Sequence, residues 1–367
     1  MKNMRLCFGL IALLMTALAF TGCDSDEWEP EGWERLDDPY DNLPNTGLSS
    51  LGFDVEDGIA YVVTEGRPIK KWDGENWVEI EDKTTYGYIF TLQVEGDDIF
   101  VVHGSGGLMV TRINTRAGES FQTPELPPCP PANWCASVFV EAGNIYVAYT
   151  LPKSITGLGC LRVKRFDYGT SNWVDVGAQP VSEGEVQLPS IFVDNGVPYV
   201  AYQDFTKGTH LSVKRFAGEN WIDVGDPSIT KSGVQRNDIY VYDGIPYVAY
   251  SDSAHSGRTT VIKFEGTQWS TVGNPGFSNP LTGGVIQRTI DLQVLNGLPY
   301  VGNSWSAEVK QFDGEKWEDI GSNTNDRGTI GFSLRLTEDG TPYVAFLDEC
   351  PRIRSCSQLN VMKYVGD

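Results

Sequence analysis

Ile191 to Tyr202 reads IFVDNGVPYVAY, and Leu211 to Gly225 reads LSVKRFAGENWIDVG. The two stretches are halves of one repeating unit. The first half folds about Asn195-Gly196, a dipeptide that accepts the positive φ angles of a two-residue type I′ hairpin turn. Further copies of this half run from Ile239 to Tyr250, from Leu292 to Asn303 and from Leu334 to Phe346, with turns expected at Asp243-Gly244, Asn296-Gly297 and Asp339-Gly340. The second half recurs around Trp77, Trp173, Trp269 and Trp317, and Phe121 stands in the same place in a degenerate copy. From Trp33 onward these aromatic markers are spaced by 44, 44, 52, 48, 48 and 48 residues, a period that belongs to propeller blades.

Each unit supplies four short strands. The Pro after the first turn sits at a strand start, where a missing N–H is tolerated. The Trp of the second half opens the outer strand and offers a large face for packing between neighbouring sheets. In Tyr-Val-Ala-Tyr both faces of the strand are apolar, as expected of a blade covered on both sides. First halves begin near Leu51, Thr91, Ser137, Ser190, Asp238, Asp291 and Ser333, which gives seven units. The last unit ends at Asp367 without an outer Trp strand, and the missing piece lies at the other end, in Gly32 to Leu36. The fold expected is all-β: a seven-bladed β-propeller closed by an N-terminal outer strand in the last blade. Closure of this kind removes open edges.

Composition limits the function. The 367 residues hold 49 acidic and 28 basic side chains, a net charge of −21, which excludes a nucleic-acid binder or a protein drawn to anionic lipid by charge. Forty Gly, 20 Pro and ten Trp, with a negative mean hydropathy, exclude a polytopic membrane protein and favour short strands with tight turns.

The N-terminus reads as an address. Lys2 and Arg5 precede an apolar run from Leu6 to Phe20, too short for the roughly 20 residues of a spanning helix. The run ends Leu18-Ala19-Phe20-Thr21-Gly22-Cys23, which resembles a bacterial lipobox, with Phe20 in place of the usual Leu. The resemblance implies cleavage before Cys23 and its acylation, hence a lipid anchor in the cell envelope; the side of the membrane stays open. The organisation expected is a signal peptide over 1–22, an acidic tether over 23–31 and one propeller over 32–367.

The units of 33–367 resemble those of bacterial extracellular propeller proteins and lack the Gly-His and Trp-Asp signature of the WD family. The turn Asp-Gly-x-x-Trp at Asp73 and Asp313 is similar to the sialidase Asp box. Its leading Ser is absent, with Lys71 in that place before Asp73, and its Asp–Gly spacing is one residue shorter. That family also implies six blades, so none of its catalytic residues is carried over.

In an up-and-down blade the short turns share one face, and the other face collects loops of varied length. Leu151 to Gly159, Asp252 to Arg258 and Leu347 to Gln358 are examples. Variation on one face marks it as the binding face. Three candidate sets lie there. Asp204, Asp252 and Asp348 occupy equivalent places after the second strand, where a pair offers a glycosidase acid and base, and where turn capping serves equally. Arg236, Arg288 and Arg327 precede the first strands of three successive blades, a placement suited to an acidic sugar or peptide at the channel mouth unless each pairs with a nearby Asp. Among the cysteines of an exported chain, Cys350 and Cys356 share one loop and are paired; of Cys129, Cys135 and Cys160 only two can bond, and loop geometry favours Cys129 with Cys135. His103, His210 and His255 fall in different blades with no metal-ligand spacing and read as solvated loop residues, so neither metal nor other cofactor is expected. Two functions compete: a monomeric envelope module binding a glycan, peptide or protein, and a carbohydrate-active hydrolase or lyase.

Overall fold

The computed structural model describes residues 30–36, 38–40, 50–82, 84–104, 107–127, 135–151, 159–226, 228–279, 289–304, 307–322, 329–349 and 357–366. Four-stranded antiparallel sheets, seven in all among these residues, follow one another around an axis as the blades of a propeller. Blade 1 holds β2 (Leu51–Glu56), β3 (Ile59–Thr64), β4 (Lys70–Trp72) and β5 (Trp77–Glu79); blade 2 holds β6 (Tyr88–Glu95), β7 (Asp98–Gly104), β8 (Met109–Asn114) and β9 (Glu119–Gln122). Blade 3 holds β10 (Ala136–Glu141), β11 (Asn144–Thr150), β12 (Leu161–Asp167) and β13 (Asn172–Asp175). Blade 4 holds β14 (Val186–Asp194), β15 (Val197–Asp204), β16 (His210–Ala217) and β17 (Asn220–Asp223). Blade 5 holds β18 (Val234–Tyr242), β19 (Ile245–Asp252), β20 (Arg258–Glu265) and β21 (Gln268–Thr271). Blade 6 holds β22 (Ile290–Leu295), β23 (Leu298–Asn303), β24 (Glu308–Phe312) and β25 (Trp317–Asp319). Blade 7 takes β26 (Thr329–Leu336), β27 (Pro342–Glu349) and β28 (Ser357–Tyr364) from the C-terminus and β1 (Trp33–Leu36) from the N-terminus.

β1 pairs antiparallel with β28, Trp33 opposite Tyr364 and Leu36 opposite Val361, so the N-terminal segment does close the last blade. The core lies between blades. Leu36, Tyr343, Ala345 and Val361 of blade 7 pack on Phe53, Ala60 and Val62 of blade 1, and the other blades meet in the same way. The recurring Trp adds a polar clasp to this packing. Trp221, Trp269 and Trp317 donate Nε1–H to the carbonyls of Val176, Val224 and Val272 in the preceding blade, at 2.8, 2.8 and 2.9 Å. Trp33 does the same to Ile320 at 3.2 Å, so β1 occupies the register of a regular outer strand.

The turns follow their chemistry with one exception. Asn195-Gly196, Asp243-Gly244 and Asn296-Gly297 all carry two positive φ angles, as type I′ demands. Asp339-Gly340 does not form such a turn. Asp339 instead accepts from Thr341 N–H at 3.1 Å, and Thr337 donates its N–H to the Thr341 carbonyl at 3.1 Å, which makes a wider loop. The first strands also start earlier than the repeat suggests. β14, β18 and β26 each carry an irregularity in pairing, between Gln187 and Ser190, Val234 and Asn237, and Thr329 and Phe332. Arg236 therefore lies within β18 rather than in the connection before it.

Candidate functional site

The first strand of each blade turns one edge to the axis, leaving backbone N–H groups without a strand partner. A side chain from the preceding blade satisfies one such amide at each step. Asp54 accepts from Val94 N–H at 2.8 Å, Gln93 from Val140 at 2.8 Å and Ser137 from Ile191 at 3.1 Å. Ser190 accepts from Ile239 at 3.2 Å, Asp238 from Leu292 at 2.9 Å and Asp291 from Leu334 at 3.0 Å. Between blades 7 and 1 the link is different: Arg335 Nε donates to Asp54 Oδ1 at 2.9 Å, while its Nη1 reaches Asp291 Oδ2 at 3.0 Å. On the side of the short turns, Glu56, Glu95, Glu141 and Asp194 accept from the turn amides of Gly96, Gly143, Gly196 and Gly244 at 2.7, 2.6, 2.8 and 3.2 Å. Part of the acidic surplus thus does structural duty around the axis.

Between the strands the axis opens into a cup of about 430 Å3, lined from all seven blades and within the usual range for a small-molecule site. One side of its lining is aromatic. Phe139, Phe192 and Tyr240 hold equivalent positions in three successive blades, with ring centroids 4.3 Å and 4.4 Å apart and planes tilted by 41° and 43°. The opposite side is charged and amide-bearing, with Asp54, Gln93, Asp291, Gln293 and Arg335. Asp238 stands two residues before Tyr240 and links the two sides.

Three carboxylates share one guanidinium here. Burial, reinforced by the charge of Asp291, pushes Asp238 up to about 7 against the Leu292 and Ser190 hydrogen bonds and the Arg335 charge. Burial likewise raises Asp54, with Arg335 opposing. Burial works against the Arg335 charge, yet Asp291, Asp54 and Asp238 hold its pKa above the ordinary arginine range. Carboxyl groups thus outnumber the single guanidinium in the cup.

Of the residues singled out by sequence, Asp204, Asp252 and Asp348 do occupy equivalent ends of β15, β19 and β27. Asp204 and Asp252 cap single-turn 3-10 helices. Asp204 Oδ1 accepts from Thr206 N–H at 2.9 Å, and Asp252 Oδ1 from Ala254 N–H at 2.9 Å. Asp252 also takes Ser232 and Thr260 hydroxyls at 3.1 and 3.0 Å and lies 2.8 Å from His255 Nδ1. Burial works to raise its pKa, and these bonds outweigh it, leaving the pKa lowered. Arg236 donates to the Gln235 carbonyl at 2.7 Å; Arg288 and Arg327 lie outside the described residues. Cys160 is a free thiol and Cys135 is disulfide-bonded, while Cys23, Cys129, Cys350 and Cys356 lie outside the described residues. The expectation of three solvated loop histidines fails at His103. It is a strand residue, 2 % exposed, under the edge of Tyr86, and burial lowers its pKa to about 4.

Sequence reasoning missed Arg335, Asp54 and the aromatic crescent. The signal was present: aligning the seven first strands places Asp54, Gln93, Phe139, Phe192, Tyr240, Gln293 and Arg335 in one column. No family model matches the chain, and a search of curated proteins returns no match. Solved structures share the fold. The computationally designed Ika8 protein is 11% identical over 91% of this chain and 100% of its own, with a TM-score of 0.53. U3-55K is 11% identical over 92% and 100%, with a TM-score of 0.56. A B. thetaiotaomicron structure described as the extracellular domain of a hybrid two component system is 10% identical over 90% of this chain and 39% of its own, with a TM-score of 0.57.

Proposed function

We propose that the chain is a non-catalytic binding module of the cell envelope that takes its ligand in the axial cup. The observation that supports this reading is the convergence of side chains from all seven blades on one cavity that is aromatic on one side and polar on the other. Asp204 and Asp252 are engaged as helix caps, which lends no support to a hydrolase built on them. The test is a thermal-shift screen of the purified protein against small molecules, glycans and peptides. Thr91 lines the cup and its hydroxyl makes one weak bond, to the Leu92 carbonyl at 3.4 Å, so Thr91→Trp fills the cavity with little loss elsewhere. Stabilising ligands are expected to lose their effect in Thr91→Trp and keep it in Asp204→Asn. Turnover of a glycoside that disappears in Asp204→Asn or Asp252→Asn overturns the reading in favour of a hydrolase.

The same proposal covers the attachment of the module. An acylated Cys23 holds the propeller at a bacterial membrane, with 24–31 as spacer. Cys23→Ala is expected to leave the detergent phase in phase partition while the wild type stays in it; equal partitioning ends the claim. Cys129 is the proposed partner of Cys135, and Cys350 of Cys356, to be read by peptide mapping without reduction.

A further inference from the structure

The cup has a cluster of carboxyl groups and an aromatic wall, and together these select a ligand class. This step rests on the cup being the binding site. Its ionisable groups are three carboxyls and one guanidinium, and the guanidinium is held between two of the three. An anionic ligand meets net repulsion there.

A neutral polyol needs hydrogen-bond partners for its hydroxyls, and several polar groups of the cup are already engaged. Ser190 donates to Asp238 at 2.7 Å, and Asp291 is already bonded by Ser333 from outside the lining at 3.0 Å. The Gln293 amide donates to Asp291 at 3.1 Å, and the Gln93 oxygen accepts from Val140. Aromatic faces and carboxylate lone pairs make up much of what remains. Both attract positive charge, and a cation is drawn to the face of a desolvated aromatic ring.

We infer that the cup binds a small organic cation, an alkyl or quaternary ammonium, with its apolar groups against Phe139, Phe192 and Tyr240 and its charge beside Asp238. The groups facing Asp238 are Asp291 from β22, Arg335 from β26, Asp54 from β2 and Tyr240 on its own strand. An arriving cation favours the ionised form of Asp238 and expels its proton, so affinity rises with pH up to neutrality and then levels.

The experiment is calorimetric titration of the purified protein with tetramethylammonium, choline and benzyltrimethylammonium. The uncharged choline isostere 3,3-dimethylbutan-1-ol, glucose and benzoate serve as counter-probes. The expected result is binding of at least one ammonium about tenfold or more tighter than the isostere, which corresponds to about 1.4 kcal/mol. That preference is expected to fall about tenfold in Asp238→Asn and again in Tyr240→Leu, both with melting curves showing a folded protein, and to vanish in Thr91→Trp. If Asp238→Asn does not fold, Tyr240→Leu and the pH series decide. Equal affinity for choline and its isostere, or failure of all three ammonium ions, overturns the cation inference. Glucose or benzoate binding that Thr91→Trp abolishes overturns it too, yet leaves the cup as the binding site. Ligands whose binding ignores Thr91→Trp overturn both.

Discussion

Asp238 is the residue in which packing and charge conflict most openly. Its carboxylate closes the step from blade 5 to blade 6 by accepting from Leu292, but it does so inside a buried, negative neighbourhood. A carboxyl whose folded pKa is raised binds a proton that the unfolded chain has already released. Its contribution to stability is therefore fully present below the unfolded value of 3.8 and is lost as pH rises through about 7. Between those limits the wild type should lose up to about 1.4 kcal/mol per pH unit relative to Asp238→Asn, measured by urea unfolding across a pH series, and the difference should level off above 7. Parallel pH profiles would show that the proton is not held at Asp238. Arg335 makes the complementary case. Replacing it with Leu leaves Asp54 and Asp291 without their shared counter-charge, a loss expected to cost about 3–5 kcal/mol at neutral pH. Because protonation relieves the stranded carboxylates, the gap to wild type should narrow in acid; a constant gap points to lost packing instead. None of this was legible from one repeat. Arg335 and Asp54 stand in one column of the aligned strands but come from the last and first blades, and they meet only because the ring closes.

At the scale of the strand and turn, the sequence was far more explicit. Asn195-Gly196 and Asp243-Gly244 specify their hairpins locally, since only a few residues accept two positive φ angles in succession. The recurring Trp fixes where each outer strand starts and where the neighbouring blade must come. What the pattern did not reveal is why a Gly follows each clasp. Gly273 has φ +65°, and a Cβ there would sit 2.8 Å from Phe312 Cε2 and 3.0 Å from the Trp317 ring. Gly225 stands in the same relation to Phe264 and Trp269. Gly273→Ala is thus expected to destabilise by on the order of 1–3 kcal/mol through strained backbone and a displaced Trp317. Gly266→Ala, also at positive φ but with no atom within reach of a Cβ, isolates the backbone part. Chemical denaturation of both variants separates the two causes, and equal losses would remove the blade contact from the explanation. The failed turn at Asp339-Gly340 marks the limit of dipeptide reasoning. Thr337 and Thr341 give Asp339 hydroxyl and amide partners, and a side chain with such partners competes with the two-residue geometry.

For the whole molecule the decisive fact is that chain ends meet within one sheet. The inference was open to sequence because two absences matched: a last unit without an outer strand and a leading Trp33 without a unit. The structure adds how firmly the seam is held. β1 runs along β28 over four residue pairs, Trp33 and Leu36 are 5 % and 6 % exposed, and Trp33 meets Tyr364 edge-on at 5.4 Å. Around the axis, Arg335 and Asp54 bridge the C-terminal strands of blade 7 to blade 1, which the chain itself joins only through β1. Removing 24–36 would strip the outer strand, expose the N–H and C=O groups along β28 and open the core beneath Trp33 and Leu36. Burial of a large apolar side chain is worth about 1.5–3 kcal/mol, so the two together account for about 3–6 kcal/mol before the edge is counted. The exposed edge also invites pairing with a second copy. The truncated chain is expected to melt well below the full one and to aggregate, read by calorimetry with light scattering. The full-length double variant Trp33→Ala, Leu36→Ala should reproduce most of the loss in stability with less aggregation, because its backbone still covers β28. An unchanged melting curve in the truncated chain would overturn the closure, since a ring held mainly by its axial contacts would not register the absence of β1.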